Sequence, residues 1–248
     1  MQKIIIGNWK MCGSPDSAKL WAAEMRDFLL NTNYQLPTTI ICPPAPLIPI
    51  LAHELAETGI KLGGQDCHKQ AQGAHTGDTS AQLLKAVGCD FVIVGHSERR
   101  TDHAETSETV CAKAAQAINS GLTPIICIGE TASEREQGKT LQVLQEQVEK
   151  SVPTNCQNKF ILAYEPVWAI GSGNIPSTSE IEQAHKAIIS YTAKHTGLAE
   201  EKVFVLYGGS VKPENASEIM KIAGVSGVLV GGASLKAGEF IRISEFGV

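Results

Sequence analysis

The chain has 248 residues, 43% of them hydrophobic and 19% charged, with a net charge of −5; this is the composition of an ordinary soluble globular protein close to the upper limit for one hydrophobic core. The acidic balance argues against nucleic acid or an acidic membrane surface as the main partner, because both call for a basic face. Seven cysteines without a C-x-x-C pair follow neither a disulfide framework nor a zinc spacing, which suggests a reducing compartment.

Met1-Gln2-Lys3-Ile4 runs directly into a strand-like segment with no basic, apolar, cleavable leader. No apolar stretch approaches bilayer length, so the cytoplasm is the expected location and no membrane partner is expected. Short apolar runs then recur roughly every 30 residues, the size of a strand–helix–strand unit. They are Ile4-Ile5-Ile6, Thr39-Ile40-Ile41-Cys42, Ile60-Lys61-Leu62, Phe91-Val92-Ile93-Val94, Pro124-Ile125-Ile126-Cys127-Ile128, Phe160-Ile161-Leu162-Ala163, Val203-Phe204-Val205-Leu206 and Gly227-Val228-Leu229-Val230. Nearly continuous runs of this kind suit parallel strands buried on both faces, with Lys61 weakening the third.

Helix punctuation falls between the runs: Ser14-Pro15 before Leu20, Thr79 and Ser80 before Leu83, Thr131-x-x-Glu134, Ser177-x-x-Glu180, and Lys212-Pro213-Glu214. The two Ser/Thr-x-x-Glu boxes predict the firmest helices, because side chain and carboxylate satisfy first-turn amides reciprocally. No linker or low-complexity tract divides residues 1–248. Eight strand–helix units in one uninterrupted domain predict an α/β fold, a closed (β/α)₈ TIM barrel, with an open doubly wound sheet as the alternative. Barrel chemistry sits at the carboxyl ends of the strands.

At the end of the first run stand Asn8-Trp9-Lys10, where Lys10 is either a surface charge or a fixed cation for an anionic substrate. After the fourth run come Gly95-His96-Ser97-Glu98-Arg99-Arg100. The two arginines fit structural ion pairs, whereas His96, at the start of a turn, is placed for a helix amino end to lower its pKa and leave a neutral imidazole. The sixth run delivers Glu165, the only charge near a desolvated strand end, with its pKa open to tuning upward. Behind it, Pro166-Val167-Trp168-Ala169-Ile170-Gly171-Ser172-Gly173-Asn174 starts with proline and ends in glycines, the pattern of a segment able to close over the site. Tyr207-Gly208-Gly209-Ser210 and Gly231-Gly232-Ala233-Ser234 follow the last two strands, where small residues let backbone N–H groups approach a phosphate without a basic patch. Residue by residue, this reaches proton chemistry on a small phosphorylated compound.

Together with Cys127-Ile128-Gly129-Glu130, these segments resemble the triosephosphate isomerase family from the first strand to the last helix. The resemblance implies reversible interconversion of dihydroxyacetone phosphate and D-glyceraldehyde 3-phosphate, within glycolysis and gluconeogenesis, with no cofactor and no metal. Carried over, Glu165 is the base, with a neutral His96 as carbonyl polariser, Lys10 stabilises the enediolate, Asn8 orients Lys10 and substrate, and Glu98 anchors the charges near Lys10. Asn8, Lys10, Gly171, Ser172, Ser210, Gly231 and Gly232 are the implied substrate and phosphate contacts. The polar stretch Gln72 to Asp78 resembles the loop that in this family enters the partner subunit, which implies a homodimer with Thr76 reaching across.

Three positions depart from the family pattern or need weighing within it. Cys12 stands where many relatives carry Asn, and Asn174-Ile175-Pro176 replaces the commoner Lys-Thr-Ala, so Pro176 restricts the far hinge of the closing loop. Cys127 reads as a small buried packing residue rather than a redox group. Two other classes stay in view: a Schiff-base aldolase using Lys10, disfavoured because His96 and Glu165 suit proton transfer, and a noncatalytic phosphate binder, which would have lost a catalytic position.

Overall fold

A computed structural model describes residues 3–32, 34–154, 159–170 and 175–247. Eight parallel strands close into a barrel in chain order: β1 (Ile4–Asn8), β2 (Thr38–Cys42), β3 (Lys61–Gly64), β4 (Phe91–Val94), β5 (Thr123–Ile128), β6 (Ile161–Tyr164), β7 (Val205–Tyr207) and β8 (Gly227–Val230). The closing seam pairs β1 with β8, Ile4 opposite Gly227 and Gly7 opposite Val230. A side chain at 227 would put its Cβ 1.9 Å from the Ile4 carbonyl oxygen, so the seam closes only on glycine. The doubly wound alternative is thereby excluded, since no strand edge is left to open.

Two buried clusters explain the barrel. Ile6, Ile40, Ile93, Ile125, Ile161 and Leu206 belong to the one inside it; alternate residues such as Ile5, Ile41, Val92 and Leu162 pack outward against the helices. Period-two alternation along strands wetted on neither face thus appears in sequence as an unbroken apolar run. Lys61 opens β3 at the amino end of the barrel, where its side chain reaches water beside Asp90, so its charge costs the strand little.

The helices begin where their caps predict. Ser14 caps Pro15–Asn31, Ser80 caps Ala81–Ala86, and Ser177 with Glu180 forms a reciprocal box at the start of the 19-residue helix Thr178–Thr196. Thr131 and Glu134 form the other predicted box, but that helix runs only from Ala132 to Glu136. Gly138 then takes φ +70°, and a separate helix, Thr140–Ser151, supplies the packing face; a good cap starts a helix but does not set its length. The seventh strand is shorter than its apolar run, because Val203 follows a 3₁₀ turn at Glu200–Lys202 and pairing begins at Val205. Among the described residues, no helix is long and apolar enough to cross a membrane.

Candidate active site

The inward parity of β1 runs Ile4, Ile6, Asn8, so Asn8 continues the interior row at the carboxyl mouth and is buried there. Its Oδ1 accepts the Lys10 N–H at 2.9 Å. Lys10 has φ +54°, a left-handed conformation costing about 1–2 kcal/mol for a residue with a side chain. What holds it there is a pair of ties. Asn8 takes the amide, and Gln65 Nε2 donates to the Lys10 carbonyl at 2.7 Å and to the Cys42 carbonyl at 2.9 Å. The Lys10 ammonium ends 2.5 Å from Glu98 Oε1.

β6 repeats the logic: Ile161 and Ala163 point inward, and Glu165 is next in the row. Its carboxylate lies 3.0 Å from His96 Nε2, the two side chains being only 3% and 7% exposed, and its other oxygen accepts the Ser97 N–H at 3.1 Å. His96 caps the short helix Ser97–Asp102, with Nδ1 accepting the Glu98 N–H at 3.3 Å. An Nδ1 that accepts leaves the ring proton on Nε2, facing Glu165. Gly208 makes room for this carboxylate, because a Cβ there would stand 2.9 Å from Glu165 Cγ.

The electrostatics differ from the sequence expectation. Burial opposes charge on Glu165, but His96, the Ser97 N–H and Lys10 outweigh it and hold the carboxyl below its ordinary range. Burial likewise opposes charge on His96, and Glu165, with Glu98, pulls its pKa up. The expected upward Glu165 and downward His96 shifts are therefore reversed in this arrangement, for one reason: the two groups touch. The helix-end N–H predicted to favour neutral imidazole is nonetheless in place at Nδ1.

These groups open onto a cleft of about 560 Å³ whose lining also includes Ser210, Gly231 and Gly232. A Cβ at Gly232 would meet nothing within 4 Å, so the backbone there lies open to the cleft. Ser234 fixes this turn: its hydroxyl donates to the Gly231 carbonyl at 2.7 Å, while its own carbonyl accepts the indoles of Trp9 at 3.1 Å and Trp21 at 3.0 Å. Asn8, Lys10, His96, Glu165, Ser210, Gly231 and Gly232 thus share one cleft, with Glu98 bound to Lys10 at its edge.

Of the closing segment, residues 166–170 are described and Gly171, Ser172, Gly173 and Asn174 lie outside the described residues. Val167–Ala169 forms a 3₁₀ turn. Trp168 donates from Nε1 to Glu130 Oε1 at 2.8 Å, Tyr164 donates to the same oxygen at 3.2 Å, and the Arg135 guanidinium lies 3.6 Å above the indole. Ile170 borders the cleft. Thr76 is exposed on the loop after β3.

The remaining candidates are structural. Arg99 pairs with Glu105 at 2.6 Å and Asp66 at 3.0 Å, and Arg100 donates to the Gly95 and Cys127 carbonyls. Cys127 is fully buried; burial, and then Glu165, push its thiol well above the ordinary range, in keeping with packing rather than redox chemistry. Gln65, Ser234 and Glu130 take part in holding the site although the sequence assigned them no role.

A family model described as "Triosephosphate isomerase" matches residues 3–247. Proteins named triosephosphate isomerase from Chelativorans sp. (strain BNC1) and Xanthobacter autotrophicus (strain ATCC BAA-1158 / Py2) are 46% and 44% identical, covering 98% of this chain in each case and 96% and 95% of their own lengths. The crystal structure of triosephosphate isomerase from Bartonella henselae superposes with a TM-score of 0.89 at 40% identity over 99% of both chains. With the barrel, the cleft and these relatives in agreement over nearly its whole length, the chain belongs to the triosephosphate isomerase family and is an isomerase.

Proposed function

We propose that this barrel interconverts dihydroxyacetone phosphate and D-glyceraldehyde 3-phosphate by proton transfer through an enediolate, with Glu165 as base. The observation that carries the assignment is the buried contact of Glu165 with His96 Nε2 at 3.0 Å, beside the Lys10–Glu98 pair. A triose entering between carboxylate and imidazole separates them. Glu165 then loses His96, the foremost of the groups that lower its pKa, and keeps the burial that raises it, so binding itself strengthens the base. His96, with its proton on Nε2, donates to the carbonyl oxygen and passes protons between the two oxygens, while the Lys10 ammonium faces the developing negative charge. Asn8 and Gln65 keep Lys10 in its left-handed conformation, and Glu98 fixes its side chain.

The phosphoryl group is held by the amides around Gly231 and Gly232 with Ser210, a site that needs no basic patch and so suits a chain of net charge −5. Residues 166–174 close over the intermediate, shutting out water that would otherwise promote loss of phosphate. Within its described part, Trp168 donates to Glu130, a contact that closure would have to keep or exchange. Residues 1–248 act as one catalytic domain in the cytoplasm, in glycolysis and gluconeogenesis. Two chains pair through the loop after β3, with Thr76 crossing to the partner.

A coupled assay with D-glyceraldehyde 3-phosphate, run with chelator present, tests the proposal. Turnover unaffected by chelator and by borohydride supports the isomerase; inactivation by borohydride in the presence of substrate would instead mark a Schiff-base enzyme using Lys10.

A further inference from the structure

Arg100 does not line the cleft, but its guanidinium grips the chain just behind both members of the Glu165–His96 pair. From the short helix Ser97–Asp102, Nε donates to the Gly95 carbonyl at 2.9 Å and Nη2 to the Cys127 carbonyl at 3.0 Å. Nη2 also donates to Ser151 Oγ at 3.2 Å and Nη1 to Ser107 Oγ at 3.1 Å. All four acceptors are neutral. Arg99 pairs with Asp66 and Glu105, whereas Arg100 makes no ion pair among the described residues, so its charge is left uncancelled in a half-buried site.

The ladder between β4 and β5 ends with Val94 opposite Ile126. One step further in the same register come Gly95 and Cys127, and theirs are the two carbonyls that the guanidinium takes. The strands part here because the chain turns at Gly95, with φ +68°, where a Cβ would stand 2.6 Å from Val110 Cγ2. Each gripped carbonyl lies one residue before a group that sets the reacting pair. Gly95 precedes His96, and Cys127 precedes Ile128, whose carbonyl accepts the Glu165 N–H at 2.8 Å.

We propose that Arg100 is a positioning residue for the isomerisation, with Glu165 read as its base, and that the guanidinium bridges Gly95 and Cys127 so that His96 and Glu165 stand at a fixed distance. A planar fork of N–H groups spans two carbonyls at set spacing; a lysine ammonium is a point charge on a flexible stem and does not. The charge adds to the fork. Burial lowers the pKa of Arg100, and Cys127 and Glu165 are the foremost groups opposing that, which puts the base within its field. The other groups around Glu165 are His96 and the Ser97 N–H after β4, Lys10 after β1, the Cys127 thiol of β5 and, beyond His96, Glu98. Removing the Arg100 charge therefore disfavours the Glu165 carboxylate and raises its pKa.

The test is Arg100→Lys and Arg100→Met in the full-length chain, assayed beside wild type with D-glyceraldehyde 3-phosphate from about pH 5 to about pH 9, with urea unfolding as the control for folding. Both variants are expected to lose about tenfold or more in kcat with little change in KM, because the glycine amides that hold the phosphoryl group are untouched. The acid limb of kcat/KM is expected to move to higher pH in Arg100→Met and to stay in place in Arg100→Lys, which keeps the charge; a merely structural role would lower stability and leave that limb unmoved in both. Arg100→Lys keeps the test readable should Arg100→Met fail to fold. Folded variants with kcat within about twofold of wild type, or an unmoved acid limb in folded Arg100→Met, would overturn the proposal. Absent turnover in the wild type would instead remove the isomerase reading beneath it, so the two failures are told apart.

Discussion

The carboxylate of Glu165 and Nε2 of His96 are in contact at 3.0 Å, each side chain almost wholly buried, so the proposed base and the proposed electrophile hold each other until something comes between them. The base is thereby kept ionised, with a pKa below its ordinary range.

Retracting the carboxylate by one methylene tests its placement. Glu165→Asp is expected to lower kcat by about 100-fold or more while KM changes little, because a displacement near 1 Å at the reacting atom costs about that much. Steady-state kinetics in both directions decide it, and near wild-type turnover would remove Glu165 as the base.

Lys10→Met keeps the length of the side chain and removes its charge. Activity is expected to fall below detection in an ordinary coupled assay, with the circular dichroism spectrum and urea midpoint close to wild type, because Asn8 and Gln65 hold the backbone of residue 10 rather than its ammonium. Comparable activity in this variant would take the electrostatic role away from Lys10.

Space for Glu165 is as important as its chemistry. Gly208→Ala would place a methyl carbon 2.9 Å from Glu165 Cγ, pushing the carboxylate toward the cleft. The expected outcome is at least a tenfold loss of kcat with a stability loss of about 1–3 kcal/mol, read by kinetics and denaturation together. Wild-type kinetics would mean that the side chain has freedom the packing denies.

Away from the site, burial of His185 pushes its pKa down to about 4, with its Nδ1 set against the Gly224 carbonyl at 3.2 Å. In the unfolded chain an ordinary histidine titrates near 6.5. Above that pH neither state binds the proton and the group is neutral in its effect; below it only the unfolded state does. Stability is therefore lost as pH falls from about 6.5 to 4, and about 2.5 kcal/mol of the loss is reached by pH 4.5. Comparing wild type with His185→Gln by urea unfolding at pH 7 and pH 4.5 isolates this contribution; equal pH sensitivity of the two proteins would contradict it.

Much of this is legible in the sequence. Eight apolar runs at barrel spacing are the strands, and Asn8, Lys10, His96, Glu165, Ser210, Gly231 and Gly232 meet at one cleft because each ends or follows a strand that reaches it. Gln65 was not legible: a glutamine after two glycines has no pattern, and its importance comes from reaching back to the Lys10 carbonyl across the barrel mouth. The directions of the Glu165 and His96 shifts were missed because burial and dipole are sequence-local inferences, whereas the contact that overrides them joins residues 69 positions apart.

The central claim is that a bound triose separates Glu165 from His96 while its phosphoryl group rests on the glycine amides. A crystal structure with a phosphoglycolohydroxamate-type mimic tests it most directly. The Glu165 carboxylate is expected against the carbon edge of the mimic, His96 Nε2 on its oxygens, and the phosphoryl group at Gly231 and Gly232. A complex in which Glu165 stays on His96, or in which the phosphoryl group binds elsewhere, would contradict the account.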